Sequence, residues 1–283
     1  MTEGEALTIV SGAAASGAAD VGKHLIDKIG SAVGFCVMTG KRKDFEQANE
    51  SYINDIKENK SLSPLEKAAY ISCSRETIKK YCNQAGIVAK ALNEIQGDAH
   101  PEDIDDEWLS RFMDSAKHVS NREIQLMWGK LLANECATPG TVPKVLISIL
   151  TNLDTSLAKT FSVISNCRVR FFTGSNHAVK LVFPWDNTKP YIGGVDFMAL
   201  KNLDSLGLIS FDPSNAYVLK SDAERADYFD GKQVKIHGNG LKIGNVLLTQ
   251  AGISLANTIS FERIDSYWNA VIAYWNDMGY EIS

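Results

Sequence analysis

The feature that most constrains this chain is a change in the spacing of its apolar residues near residue 166. Before it, apolar residues recur every three or four positions; the fullest stripe is Ile124, Met127, Trp128, Leu131 and Leu132. After it, apolar and polar residues alternate, as in strands with one buried face. The sequence therefore predicts a mainly α protein, with an N-terminal helical domain followed by a small winged-helix-like α+β module.

Helix start signals support the first half of this prediction. Ser63-Pro64-Leu65-Glu66 combines an N-cap serine, a proline in the first turn and a glutamate that can complete a capping box. It predicts a helix that runs toward Tyr81. Ser120-Asn121-Arg122-Glu123 repeats the pattern, and Asp154 is placed to cap a further helix.

The second half carries strand signals. Apolar residues around Phe171 and Leu181 flank the turn-rich Thr173-Gly174-Ser175-Asn176 and predict a hairpin. A helix that ends at Gly207, several short strands and a helix capped by Thr249 should follow, which is the order of a winged-helix-like module. The predicted domains are 1–40 (apolar, small-residue helical segment), 41–165 (all-helical), 166–260 (winged-helix-like) and 261–283 (C-terminal helix and tail).

The segment before residue 40 has an unusual composition. Residues 6–19 are an uncharged run of mainly Ala, Gly and Ser, and an amphipathic helical pattern follows. This helix can pack against the body, against a second subunit of a homo-oligomer, or against a membrane through residues 6–39. The candidate partner or membrane contacts are Val21, Leu25, Ile29, Gly30, Val33, Gly34 and Phe35.

Charge argues against nucleic acid as the partner. The chain has 29 Lys and Arg against 34 Asp and Glu, a net charge of −5, so no overall positive field attracts polyanions. The helix that would read DNA in a winged-helix module, within residues 196–206, offers only Lys201 and Asn202 for base contacts.

The cysteines and the N-terminus predict a cytoplasmic protein, peripheral to the inner membrane if residues 6–39 contact lipid. The five cysteines are widely spaced and lack a Cys-x-x-Cys pair, which indicates free thiols in a reducing compartment. We interpret them as buried small apolar residues. The sequence has neither a secretory signal pattern nor a run of roughly 18 apolar residues.

Signatures of catalytic and cofactor sites are missing. The chain has no P-loop, no Gly-x-Gly-x-x-Gly after a strand, no His-Glu-x-x-His and no Gly-x-Ser-x-Gly. The acidic run Glu102 to Glu107 is the best metal candidate, but its position before Trp108 is typical of a helix N-terminus. We therefore predict no catalytic, cofactor-binding or metal-binding residue and no cofactor. The residues interpreted as core are Trp108, Phe112, Trp128, Trp268 and Trp275.

Several motifs resemble an uncharacterised bacterial family, the domain-of-unknown-function family numbered two-eight-zero-six. The most specific is Trp128-Gly129-Lys130-Leu131-Leu132-Ala133, and Asp106 to Phe112 and Pro139-Gly140 also match. The patterns Leu203-x-x-Leu206-Gly207-Leu208-Ile209 and Leu248-Thr249-x-Ala251-Gly252-x-x-Leu255 are similar to that family and, distantly, to the abortive-infection alpha group. The resemblance implies a cytoplasmic bacterial or prophage protein and a setting in phage defence; it carries no catalytic residues.

Two functions follow from these observations. The first is a non-enzymatic protein-interaction or sensor protein in phage defence, which binds a protein partner through its C-terminal module. The alternative is a membrane-acting effector whose residues 6–39 oligomerise on or in the bilayer. A third and weaker hypothesis is an enzyme whose active site is assembled from residues that are distant in the sequence.

Overall fold

A computed structural model describes residues 16–36, 42–95, 99–185, 195–219, 225–228, 234–237 and 240–282. Most of the predicted uncharged run, residues 6–15, lies outside the described residues. The chain divides into two compact units, Met1–Thr151 and Asn152–Ser283. The predicted mainly helical fold is confirmed, because the described residues form ten α-helices and a smaller set of short strands.

The first unit is helical. Its helices are α1 (Ser16–Val33), α2 (Arg42–Glu58), α3 (Pro64–Glu94), α4 (Asp106–Ala116), α5 (Arg122–Ala137) and α6 (Lys144–Thr151), with a 3₁₀ turn at Pro101–Asp103. The helix predicted to run toward Tyr81 is α3, which continues to Glu94. Asn83 and Gly86 are weak helix formers, but both are buried, and packing outweighs their propensity.

Side-chain caps set where these helices begin. The predicted capping box is confirmed: the Ser63 hydroxyl accepts the Glu66 N–H at 3.3 Å, and the Glu66 carboxylate accepts the Ser63 N–H at 2.8 Å. At α5 the cap is Asn121, one residue after the predicted Ser120. Its Oδ1 accepts the N–H groups of the second and third helical residues at 2.9 and 3.1 Å, so the amide satisfies two donors.

The core of the first unit lies where α5 crosses α3. Trp128 is fully buried, and its ring lies 4.9 Å from that of Phe112, which stacks on Trp108 at 5.0 Å. At Gly129 the helices approach so closely that an added Cβ would lie 2.6 Å from the Lys90 Cβ. The prediction that these aromatic residues form the core is confirmed. Gly129, next to Trp128, has to be a glycine because the close approach leaves no room for a side chain.

A buried carboxylate holds the connection from α5 to α6. Glu135 is 1% exposed and accepts the N–H groups of Gly140 and Val142 at 2.6 and 2.9 Å. The Trp108 indole N–H donates to the Val142 carbonyl at 3.0 Å. Charge-assisted bonds to two backbone amides fix this loop and compensate the burial of the carboxylate.

The second unit mixes helices and strands. Its helices are α7 (Thr155–Ser165), α8 (Phe197–Ser205), α9 (Gln250–Ala256) and α10 (Asp265–Asp277). Its strands are β1 (Arg168–Thr173), β2 (Asn176–Leu181), β3 (Ile209–Phe211), β4 (Tyr217–Leu219), β5 (Arg225–Asp227), β6 (Val234–His237), β7 (Leu241–Gly244), β8 (Val246–Leu248) and β9 (Glu281–Ile282). The strands begin where the apolar spacing changes, whereas the compact unit begins earlier and includes α7.

Every strand pair in this unit is antiparallel. One sheet has the order β2-β1-β5-β6-β9, and two further pairs join β3 to β8 and β4 to β7. The predicted hairpin is confirmed as β1 and β2, with Phe172 opposite His177 next to the turn. Val169 and Phe171 are buried on one sheet face, and the Phe171 ring lies 6.2 Å from that of Trp275 on α10.

The start of α9 packs tightly against the turn after α8. The Thr249 hydroxyl accepts the Gly252 N–H at 3.0 Å and donates to the Gly207 carbonyl at 2.6 Å. A Cβ on Gly252 would overlap the Leu208 carbonyl oxygen. The Leu-Gly-Leu-Ile and Leu-Thr-x-Ala-Gly motifs therefore form one packing contact.

Alanine substitutions should distinguish glycines whose surroundings leave no room for a Cβ from glycines that have space for one. We expect Gly129→Ala and Gly252→Ala each to lower the free energy of unfolding by about 2–4 kcal/mol, because the new methyl overlaps neighbouring atoms. The control is Gly30→Ala in α1, where the nearest atom to a Cβ, the Phe35 carbonyl oxygen, lies at 3.7 Å. That change should be neutral or stabilise by up to about 1 kcal/mol. Urea unfolding followed by tryptophan fluorescence measures all three, and a wild-type midpoint for Gly129→Ala would contradict the close approach.

Candidate functional site

The structure places the predicted contact residues of α1 mostly in the interior of the first unit. Leu25 and Ile29 are fully buried, and Val21 and Val33 are half-buried. On another face of the helix, Lys28 pairs with Asp106 of α4 at 2.7 Å. In the described part of the chain, no helix combines the length and apolarity needed to cross a membrane.

The predicted glycine step lies at the end of α1. The Gly34 N–H donates to the Gly30 carbonyl at 2.9 Å, and Gly34 has φ +69°, as expected for a glycine that ends a helix. Phe35 then stacks on Tyr81 of α3 at 5.2 Å. These glycines end the helix and turn the chain back toward α3.

The acidic run caps and pairs with neighbouring helices. Asp105 accepts the Trp108 N–H at 2.8 Å, and this bond, with Lys144, holds the pKa of Asp105 below its ordinary value. Glu107 pairs with Lys144 at 2.8 Å and Arg111 at 2.7 Å. The interpretation of this run as a charged helix N-terminus is confirmed for Asp105.

One group of ligand atoms lies beside this run. His100, Glu102 and Asp103 are exposed, with one ligand atom of each within 4.8 Å of the others. Hydrogen bonding to backbone and to His100 lowers the pKa of Glu102. Exposed acidic groups are common without an ion, so this grouping alone is not evidence of a metal site.

The interpretation of the cysteines as buried is confirmed for two of them and wrong for two others. Cys136 and Cys167 are buried, Cys82 is intermediate, and Cys36 and Cys73 are exposed. Burial, together with the nearby Glu135, raises the pKa of Cys136 to about 12, and burial raises that of Cys167 well above its ordinary value. Neither buried thiol is set up as a nucleophile.

Three of the exposed large apolar side chains, Tyr52, Leu65 and Tyr70, lie on a helical hairpin, defined here as residues 42–82. Its two helices run antiparallel, since Lys67 Nζ donates to the Lys57 carbonyl at 2.8 Å and Ser74 hydrogen-bonds Asn49 further along. Ile53 on α2 is fully buried. Most of the described side chains of α2 are exposed.

The first half of α3 packs against α2, and Phe35 stacks on Tyr81 near the end of this half. None of residues 64–82, all of which the structure describes, is buried. Burial begins at Asn83, whose amide donates to the Lys117 carbonyl at 2.9 Å. Before that point Leu65 is 80% exposed and Tyr70 50%, and Tyr52 on α2 is 53% exposed. Exposed large apolar side chains on one projecting element are typical of protein contact surfaces.

Sequence reasoning missed this hairpin surface, although a signal was present. Charged residues between Glu66 and Lys80 fall on every side of the helix. They leave only a narrow apolar stripe around Ile71 and Ile78, which is enough for one neighbouring helix and too little for a core.

The α8 segment offers little for reading DNA. Asp196 caps the helix by accepting the Ala199 N–H at 2.7 Å. Lys201, its one basic residue, pairs with Asp204 at 3.0 Å. The helix therefore presents no basic stripe toward a groove.

Thiol labelling should report the two exposed cysteines. At pH 8 we expect Cys36 and Cys73 to react with iodoacetamide within minutes, and Cys136 and Cys167 to react only after unfolding, because both are buried and protonated. Mass spectrometry of the labelled peptides identifies each site. Rapid labelling of Cys136 in the folded chain would contradict the described core.

The comparisons concern the region from the second half of the hairpin to α10. Residues 73–272 match the family described as "Protein of unknown function (DUF2806)". No curated protein and no solved structure matches this chain. The matched region contains Gly129, Glu135, Thr249 and Gly252, whose contacts are structural. With well over half of its length matched, the chain belongs to the DUF2806 family.

Proposed function

We propose that this chain is a non-enzymatic interaction protein that binds a partner protein through its helical hairpin. The observation that carries the proposal is the run of residues 64–82, in which nothing is buried while Leu65 and Tyr70 remain exposed. Exposed apolar side chains on a helix are available to enter an apolar groove of another protein.

The charge of the hairpin points to an apolar partner surface. Residues 42–82 contain eight basic and seven acidic residues, so no field of one sign selects the partner. Recognition then depends on the burial of Leu65, Tyr70 and Tyr52. Full burial of a large apolar side chain such as leucine contributes roughly 1.5–3 kcal/mol. This differs from the expectation that the C-terminal module makes the contact.

The test compares three tagged chains as bait. A double variant, Leu65→Glu with Tyr70→Glu, removes the apolar contacts while it keeps good helix formers on exposed positions. The matched control is Val145→Glu, since Val145 is 58% exposed on α6. We expect one protein to be retained by wild type and the control and reduced at least tenfold by the double variant. Equal retention on all three, or retention of nothing, overturns the proposal.

A second readout locates the contact on the purified complex. Cys73 lies on the free half of α3 and Cys36 lies outside the hairpin, and both are exposed. The partner should slow alkylation of Cys73 and leave Cys36 unchanged. If the wild type instead sediments as an oligomer and the double variant as a monomer, the partner is a second copy of the chain and the proposal of a different protein fails.

The setting we propose is phage defence in a bacterial cytoplasm. Its support is the resemblance of the Leu-Gly-Leu-Ile and Leu-Thr-x-Ala-Gly motifs to the abortive-infection alpha group. We also propose that the second unit is a winged-helix-like module, since α8 precedes the antiparallel β3–β8 pair and α9 follows it. Expression of wild type and the Val145→Glu control should lower the plating efficiency of a sensitive phage, and the double variant should not. Equal plating on all strains would contradict this setting.

The membrane-acting alternative has less support. Leu25 and Ile29 would have to leave the core of the first unit before α1 could enter a bilayer, which exposes two fully buried side chains at roughly 1.5–3 kcal/mol each. Flotation of the chain with liposomes, beside a variant that lacks residues 1–40, distinguishes the two functions.

A further inference from the structure

One face of the five-stranded sheet in the second unit takes no part in the proposed protein contact. Side chains alternate across a strand, and the register places Arg170 beside Asp227 and Val179, and Phe172 beside Arg225 and His177. We name this side the Arg170 face. The opposite side carries the buried residues Val169, Phe171 and Ala226.

The Arg170 face is buried at β5 and at the far end of β2, and it is open next to the β1–β2 turn. Asp227 on β5, beside Arg170, is 2% exposed, and Leu181 at the end of β2 is 4% exposed. We call the part next to the turn the open end. Toward the β1–β2 turn, His177 is exposed, Val179 is 45% exposed and Phe172 is half-buried. The open end therefore presents an apolar and aromatic surface of limited size to solvent.

An arginine is held over the aromatic ring at this open end. The Arg225 guanidinium lies 4.9 Å from the centre of the Phe172 ring, and its Nη2 donates to the Gly174 carbonyl in the turn at 3.4 Å. The His177 ring lies 5.9 Å from Phe172 on the other strand. The Phe172 and His177 ring planes are inclined by 43°. The guanidinium over the Phe172 ring and the neighbouring His177 ring together form a surface on which bases can stack, which we call the stacking platform.

Basic residues outnumber acidic ones among the described residues that the strand register places around this platform. Arg170, Arg225 and Lys235 share the face, since Lys235 pairs with Arg225 in the β5–β6 register. The acid among them, Asp227, is buried and lies 3.9 Å from Arg170. Glu281 belongs to β9, the edge strand furthest from the hairpin. The open end thus combines positive charge with stacking rings in a chain whose net charge is −5.

We infer that the open end of the Arg170 face binds single-stranded nucleic acid. Its bases stack on Phe172, His177 and the Arg225 plane, and its phosphates pair with Arg170, Arg225 and Lys235. Unpaired bases expose the ring faces that such a platform accepts, whereas bases in a duplex are already stacked on each other. The argument against nucleic acid from net charge and α8 does not apply to this surface, because the strand register, which the sequence did not show, assembles it.

The test measures binding of fluorescein-labelled rU20, dT20 and a 20-base-pair duplex by anisotropy at low salt. We expect the full chain to bind a single strand and the duplex at least tenfold more weakly; the two strands distinguish RNA from DNA as the ligand. Phe172→Ala and Arg225→Ala should each weaken binding roughly tenfold or more. Arg225→Ala should also lower the slope of log K against log salt by about 0.7 for one lost phosphate contact.

The matched control is Lys180→Ala. Lys180 is exposed on β2 but pairs with Val169, which places it on the opposite side of the sheet, and its removal costs the same charge as removal of Arg225. Binding by this variant should stay within about twofold of wild type, and circular dichroism checks that each variant is folded. Absence of single-strand binding, tighter binding of the duplex, or equal loss in Lys180→Ala and Arg225→Ala overturns the inference.

Discussion

The close approach of α5 to α3 at Gly129 is the contact on which the first unit depends. It brings two helix backbones together beside Lys90 and places Trp128 in the interior next to Phe112. This contact holds the second half of α3, while the first half packs against α2 and has no buried residue between positions 64 and 82. The exposed hairpin is thus a consequence of where α3 is anchored.

The second unit uses the same kind of constraint at different residues. Gly252 lets α9 contact the Leu208 carbonyl, and the Thr249 hydroxyl bonds across that contact. Gly244, with φ +99°, occupies a further position where a Cβ would overlap the backbone of Phe183. Gly129 and Gly252, both within the family motifs, therefore mark close contacts between backbone segments.

Local chemistry made much of this fold predictable. Caps such as Ser63 with Glu66, and the stripe around Trp128, act within a few residues, so the helix starts and core aromatic residues followed from the sequence. The exposure of residues 64–82 depends on where α3 meets α5, and the grouping of Phe172, His177 and Arg225 depends on strand register. Both depend on contacts between residues that are distant in the chain, and the spacing of apolar residues gives no information about such contacts. The exposed Cys36 and Cys73 were misjudged for the same reason, since composition gives only the average burial of a residue type.

The length of α3 determines how this protein can meet a large molecule. The helix has 31 residues, and with a rise of about 1.5 Å per residue Leu65 lies roughly 27 Å along the axis from the first anchored residue, Asn83. That reach is close to the diameter of a small domain. A partner that binds near Leu65 can therefore avoid contact with the helical core. The remaining surface of the unit then stays available to a second partner at the same time.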